Sequence, residues 1–144
     1  MKRFLFLFLL LLSLASCEKN YVSQIPYAPV NFAIDLRYQD KDLVGILNYK
    51  TFTSPRNAGE YVGFSGILIV CGFDNVYYAY DLCCPHEARQ DIKIIPNNEG
   101  TAKCNKCGTE YEIGYGTGRP AGISEYSLRK FNIRPNGQEL YIYY

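Results

Sequence analysis

Cys84-Pro85-His86 and, 17 residues further on, Cys104-Asn105-Lys106-Cys107-Gly108-Thr109-Glu110-Tyr111 are the stretches on which the reading of this chain turns. A C-x-H pair and a C-x-x-C pair supply four soft or borderline metal ligands. Spacings this short let each loop turn two side chains toward one centre. Each pair follows a run of strand-forming residues, so each is expected where a strand gives way to a loop. Gly108, directly after the second pair, offers a position without Cβ where the backbone can fold tightly under a sulfur ligand. His86 is the only histidine in 144 residues. A site of two His and a carboxylate is therefore excluded, and so is any Ser-His-Asp triad not built on His86.

Around these loops the chain reads as short strands. Val30, Phe32, Ile34 and Leu36 alternate with Asn31, Ala33 and Asp35, the period of a half-buried strand. Residues 43–53 give a second candidate, followed by a loop at 54–59. Ile67 to Phe73 and Val76 to Leu82 flank Asp74-Asn75, a good hairpin turn. Ile92 to Ile95 and Thr101 to Lys103 flank Pro96-Asn97-Asn98-Glu99-Gly100. Leu128 to Arg134 and Glu139 to Tyr144 flank Pro135-Asn136-Gly137-Gln138, with Asn-Gly expected at the centre of the turn. Tyr78 and Tyr80 share one face of their strand and are read as packing residues rather than a binding platform. No window carries a helical stripe, so the fold class is all-β, a sandwich or barrel.

Length, at 144 residues, suits one modest domain, and 48% hydrophobic content suits a globular one. A formal charge of +1 gives no electrostatic footprint for nucleic acid. The first sixteen residues read as an address: Lys2 and Arg3 precede an unbroken apolar run from Phe4 to Leu12. Leu14-Ala15-Ser16-Cys17 resembles a bacterial lipobox. That resemblance implies cleavage after residue 16 and acylation of Cys17, so the membrane is a partner through a lipid anchor. The expected organisation is signal peptide 1–16, tether 17–29 and domain 30–144. The expected location is the bacterial cell envelope, with Glu18 behind the acylated Cys slightly favouring the outer membrane. No twin-Arg pair precedes the apolar run, which favours export as an unfolded chain. Removal of Lys2 and Arg3 leaves a formal charge of −1. Five Cys remain besides Cys17, an odd number that cannot all pair within one molecule.

The order C-x-H, a gap of this length, C-x-x-C, then Gly108-Thr109-Glu110-Tyr111 resembles a Rieske iron–sulfur domain. Gly116 to Gly122 is similar to that family's Gly- and Pro-containing loop over the cluster, and Leu128 to Ile133 to the strand that follows it. The chain is also similar to small lipid-anchored Rieske-like proteins of bacterial envelopes. The resemblance covers about residues 30–144 and implies small antiparallel sheets with a metal-binding subdomain of two ligand loops. It matches Cys84 and Cys104 to the thiolates on one iron, and His86 to an imidazole on the other. Cys107 stands where the family has its second imidazole. The implied centre is a [2Fe–2S] cluster on three Cys and one His. The added thiolate charge lowers its potential below that of a two-His centre.

Three readings of the site follow. The first is one-electron transfer to a redox partner protein through that cluster. The second is a structural Zn²⁺ on the same four ligands. The third is no metal, with disulfides among the loop cysteines in an oxidising compartment. Export of an unfolded chain counts against a preloaded cluster and for the other two. Cys83 is expected to point away from the ligand direction, because neighbouring residues on a strand alternate. Cys71 is read as a buried apolar residue, with a Cys71–Cys83 bridge left open. Glu87 and Arg89 are read as solvated loop charges. No paired carboxylates, nucleophile–base pair or phosphate loop stands out, so a carrier or binding module is expected rather than an enzyme.

Overall fold

The computed structural model describes residues 24–144, so the signal peptide and acylation site read at 1–16 and Cys17 lie outside the described residues. Eleven short strands follow: β1 (Val30–Asp35), β2 (Tyr49–Phe52), β3 (Tyr61–Val62), β4 (Ile67–Cys71), β5 (Tyr77–Asp81), β6 (Ile94–Pro96), β7 (Thr101–Cys104), β8 (Glu110–Glu112), β9 (Pro120–Ala121), β10 (Lys130–Asn136) and β11 (Glu139–Tyr143). The only helical element among the described residues is a 3₁₀ turn at Lys41–Leu43. The all-β expectation therefore holds.

The strands form two antiparallel sheets. The larger runs β2-β4-β5-β10-β11-β1-β3 and the smaller β6-β7-β8-β9. Strands β5 and β10 are neighbours in the large sheet, yet 48 residues, 82–129, separate them in sequence. That excursion contains the whole small sheet and both ligand loops. It leaves and returns at one place, which fixes the small sheet on the large one.

The alternation of β1 is realised: Val30, Phe32 and Ile34 are buried and Asn31 and Ala33 exposed. With Leu36, Leu43, Phe52, Ile67, Ile69, Ala79, Phe131, Leu140 and Ile142 they make the first core. One edge of that core is closed by Arg56, whose guanidinium lies 4.7 Å over Phe32 and 5.0 Å over Phe52. The same group binds both oxygens of Asp40 at 3.0 Å, so the fully buried carboxylate is paired. The opposite faces of β4 and β5 supply Leu68, Val70, Tyr78 and Tyr80 to a second core. There they meet Ile94, Ala102, Tyr111 and Ile113 of the small sheet, together with Cys84 and Cys104. Tyr78 and Tyr80 thus share a face, as expected, and Tyr77 packs against the other core.

Three expectations need correction. Residues 43–53 are not one strand. The stretch begins in the 3₁₀ turn, passes through Gly45 and Leu47 with φ of +128° and +62°, and only then forms β2. Val44 and Ile46 are more than half exposed, so their apolar character is not spent on a sheet face. The last hairpin is set one residue later than expected. Asn136 pairs with Glu139, leaving Gly137-Gln138 as the two-residue turn, with Gly137 at φ +62°. Glycine at the first turn position supplies the left-handed conformation, so Asn136 stays in the strand.

The open Cys71–Cys83 bridge is ruled out by register. Cys71 lies opposite Tyr77 at one end of the β4–β5 hairpin, and Cys83 lies six residues beyond Tyr77. At about 3.3 Å per residue the two are roughly 20 Å apart, far beyond disulfide reach. At the N-terminal side, Ile25 is buried, and the carbonyls of Ile25 and Pro26 accept hydrogen bonds from the Arg129 guanidinium. Residues 24–26 of the stretch read as a tether thus lie against the domain.

Candidate metal centre

The first ligand loop leaves β5 at Asp81, whose carboxylate is fully buried and organises the exit. Its Oδ2 accepts from the Phe64 N–H at 2.9 Å, and its Oδ1 from Ser65 N–H at 3.2 Å and Cys83 N–H at 2.8 Å. Burial raises the Asp81 carboxyl above the ordinary carboxylate value, although these three amides and the Arg129 charge oppose the shift. Cys83 then bridges to Lys93, and its thiol donates to the Arg89 carbonyl at 3.3 Å. Burial pushes the Cys83 thiol up to about 11, so it is a protonated core residue pointing away from the loop centre, as the strand alternation requires.

The two loops are closed by one device. In the first, the Ala88 N–H donates to the Cys84 carbonyl at 2.9 Å; in the second, the Gly108 N–H donates to the Cys104 carbonyl at 2.8 Å. Both closing residues have left-handed backbone, with φ of +48° at Ala88 and +73° at Gly108. A Cβ at Gly108 would meet no heavy atom within 4 Å. Glycine is therefore suited to the conformation rather than to a lack of space. The loops are also tied by an ion pair, Lys106 Nζ to Glu87 Oε2 at 3.1 Å.

The sulfurs of Cys84, Cys104 and Cys107 converge, all within 4.8 Å of one another. Cys84 Sγ and Cys107 Sγ are 3.7 Å apart. Cys84 and Cys104 are buried and Cys107 is half-buried, which puts the group at the edge of the second core. Burial pushes the Cys84 thiol up to about 12, against the Tyr111 phenol and the backbone amides of Glu87 and His86. Cys107 is shifted the other way. Burial opposes ionisation, but the Thr109 hydroxyl and amide and the thiols of Cys104 and Cys84 outweigh it and hold Cys107 below the ordinary thiol value.

His86, expected as the fourth ligand, is not in this group; its ring nitrogens do not come within 4.8 Å of all three sulfurs, and the residue is exposed. In the loops closed on Cys84 and Cys104, His86 stands two residues after the first Cys and Cys107 three. The donor set as arranged suits a thiophilic metal. A [2Fe–2S] centre, as the resemblance implies it, would use His86 as well.

Sequence reasoning missed three supporting residues. Tyr111 is fully buried with its Oη 3.5 Å from Cys84 Sγ. Thr109, also fully buried, serves Cys107 and accepts from the Ser124 N–H at 3.2 Å. Asp81 anchors the first loop. For Thr109 and Tyr111 the sequence signal is the Gly108-Thr109-Glu110-Tyr111 stretch that carries the resemblance. The loop 116–122 reaches this region through Gly122, where a Cβ would lie 2.9 Å from Thr109 Cα. Arg89 pairs with Asp91 at 2.8 Å, both well exposed, in keeping with a solvated loop charge, whereas Glu87, also read as solvated, is largely covered and paired with Lys106.

No protein-family model matches the sequence, and no curated protein matches it. Among solved structures, the chain is similar to the quaternary ammonium Rieske monooxygenase CntA, crystallised with an inhibitor. The TM-score is 0.52 at 13% identity, over 80% of this chain and 31% of that one. The chain thus spans about a third of the length of that enzyme, and the likeness at this identity concerns the fold. Residues 24–144 therefore have a Rieske-like all-β fold that brings three cysteine sulfurs together between its two ligand loops.

Proposed function

We propose that this protein is a metal-thiolate electron carrier of the bacterial cell envelope, held at the membrane by acyl chains on Cys17. Its centre is iron held on the thiolates of Cys84, Cys104 and Cys107. The observation that supports this most is the convergence of those three thiols at the rim of a Rieske-like fold. Soft thiolates select iron, zinc or copper(I), and a site at the edge of a core gives a partner protein a short path for one electron. Cys107 is the most exposed of the three cysteines. The chain acts as carrier rather than enzyme.

When bound, iron supplies a one-electron couple whose potential responds to hydrogen bonds on the sulfurs. The chain's own residues set those bonds: the Tyr111 phenol at Cys84, and the hydroxyl and amide of Thr109 at Cys107. The [2Fe–2S] form, with His86 as fourth ligand, would need the Cys84 and Cys107 sulfurs to separate and His86 to turn inward. A non-redox Zn²⁺ site is the second reading, favoured by the 3.7 Å sulfur separation.

Metal analysis and a visible spectrum of anaerobically purified protein test the proposal. Iron with sulfur-to-iron charge-transfer bands that bleach on reduction is the expected result. A colourless protein without stoichiometric iron would end the electron-carrier reading. Release of the intact chain from membranes by Cys17→Ser, with wild type retained, is expected if Cys17 carries the anchor.

A further inference from the structure

We infer that the site holds a single thiophilic metal ion on Cys84, Cys104 and Cys107, with a fourth coordination position filled from solution and not by His86. This deepens the metal-thiolate reading and rests on it. A metal–sulfur bond of about 2.3 Å in a tetrahedral site makes ligand sulfurs about 3.8 Å apart. The Cys84–Cys107 separation of 3.7 Å has that length, and the whole triangle closes within 4.8 Å. Two sulfurs on different irons of a cluster stand on opposite sides of it, farther apart than two sulfurs on one ion. The two that the cluster would separate are here in contact.

The second loop delivers two sulfurs at an offset of three residues, the first loop one. The residue at offset three in the first loop is Glu87, and its carboxylate is engaged by Lys106. No further His, Cys, Asp or Glu among the described residues joins the triangle. Three protein ligands and one exchangeable position are the pattern of an open metal site rather than a closed structural one. Since Cys107 is half-buried, the ion is reached from solvent on that side. The fourth ligand is water, or a small soft or borderline donor such as a thiol or an imidazole.

The test compares the full-length wild type with His86→Ala and Cys107→Ser, using metal and sulfide analysis and the spectrum of cobalt(II)-substituted protein. One metal ion per chain is expected, and His86→Ala is expected to keep it with affinity within about threefold. Cys107→Ser is expected to weaken binding by at least about 100-fold, since a ligand is lost. Adding imidazole or 2-mercaptoethanol is expected to shift the cobalt bands of wild type and His86→Ala alike. Two irons and two sulfides per chain, lost in His86→Ala, would overturn the inference and leave the electron carrier standing. One zinc per chain would uphold the inference and overturn the carrier. One iron would uphold both, and no stoichiometric metal would overturn both. Cobalt bands indifferent to added donors in wild type but responsive in His86→Ala would assign the fourth position to His86 and overturn the inference.

Discussion

The two ligand loops share a closing hydrogen bond and a left-handed closing residue, yet they behave differently. Cys104-Asn105-Lys106-Cys107 brings both of its sulfurs to the centre. Cys84-Pro85-His86 brings one, and its histidine stays outside. The two loops differ by one residue in the spacing of their candidate ligands, and His86 is exposed where Cys107 is half-buried.

The strongest way to break the comparison is to remove a buried sulfur from the loop that works. Cys104→Ala is expected to reduce metal affinity by at least about 100-fold, measured by competition with a chelator. It should also loosen the small sheet selectively. Hydrogen exchange should rise in β6 to β9, while β1 and β11 stay protected. Equal loss in both sheets would show that the two cores do not separate.

Asp81 tests the anchor of the first loop. Its two oxygens take three amides, whereas an asparagine would keep one acceptor oxygen and lose a partner. Asp81→Asn is expected to cost about 1–3 kcal/mol in denaturant unfolding near neutral pH. The pH dependence has a definite sign. Burial raises the native carboxyl above its unfolded value, so the native state holds the proton more tightly. The stability this gives is present below the ordinary carboxylate pKa and is lost as pH rises through the raised value. The variant is expected to lack that falling slope; an unchanged slope would assign it elsewhere.

Glu87 sharpens the comparison by gain rather than loss. Glu87→His moves an imidazole to offset three in the first loop, where the second loop has Cys107. About tenfold tighter metal binding is expected, together with loss of the response to added imidazole. No change would show that offset is not what excludes His86.

The smallest effects come from two buried phenols of the second core. Tyr111 has a sulfur partner, whereas the Tyr80 Oη is buried without a hydrogen-bond partner. Tyr111→Phe is expected to lower the potential of the iron-loaded protein by tens of millivolts, on the order of one hydrogen bond. Tyr80→Phe is expected to leave the potential unchanged and stability within about 1 kcal/mol of wild type, or above it. Equal shifts from the two would remove Tyr111 from any role at the centre.

Much of this was legible in the chain itself. Alternation along 30–36 gave a strand and its buried face, because a period of two has one consistent burial. Turn residues placed hairpins near 74–75 and 96–100, although Phe73 and Val76 fall in the first connection rather than in its strands, and a cysteine next to a cysteine on a strand was bound to face the other way, as Cys83 does. Antiparallel sheets carrying two ligand loops, the fold that the resemblance implies, are also what the chain forms.

What the sequence could not decide were matters of three-dimensional closure. The 43–53 run looks like a strand by composition, but burial of Leu43 and the left-handed backbone at Leu47 turn it into a bend. Asn136-Gly137 marks a turn without saying which residue begins it, since both arrangements satisfy local propensity and only pairing with β11 chooses. Tyr111, Thr109 and Asp81 gained their roles from partners brought by other elements. His86 is the clearest case: residue type makes it a candidate ligand, and in the fold it stands exposed, apart from the three converged sulfurs. Local sequence fixes which atoms are available and how strands alternate; whether four donors reach one point depends on how two loops, held by two sheets, meet in space.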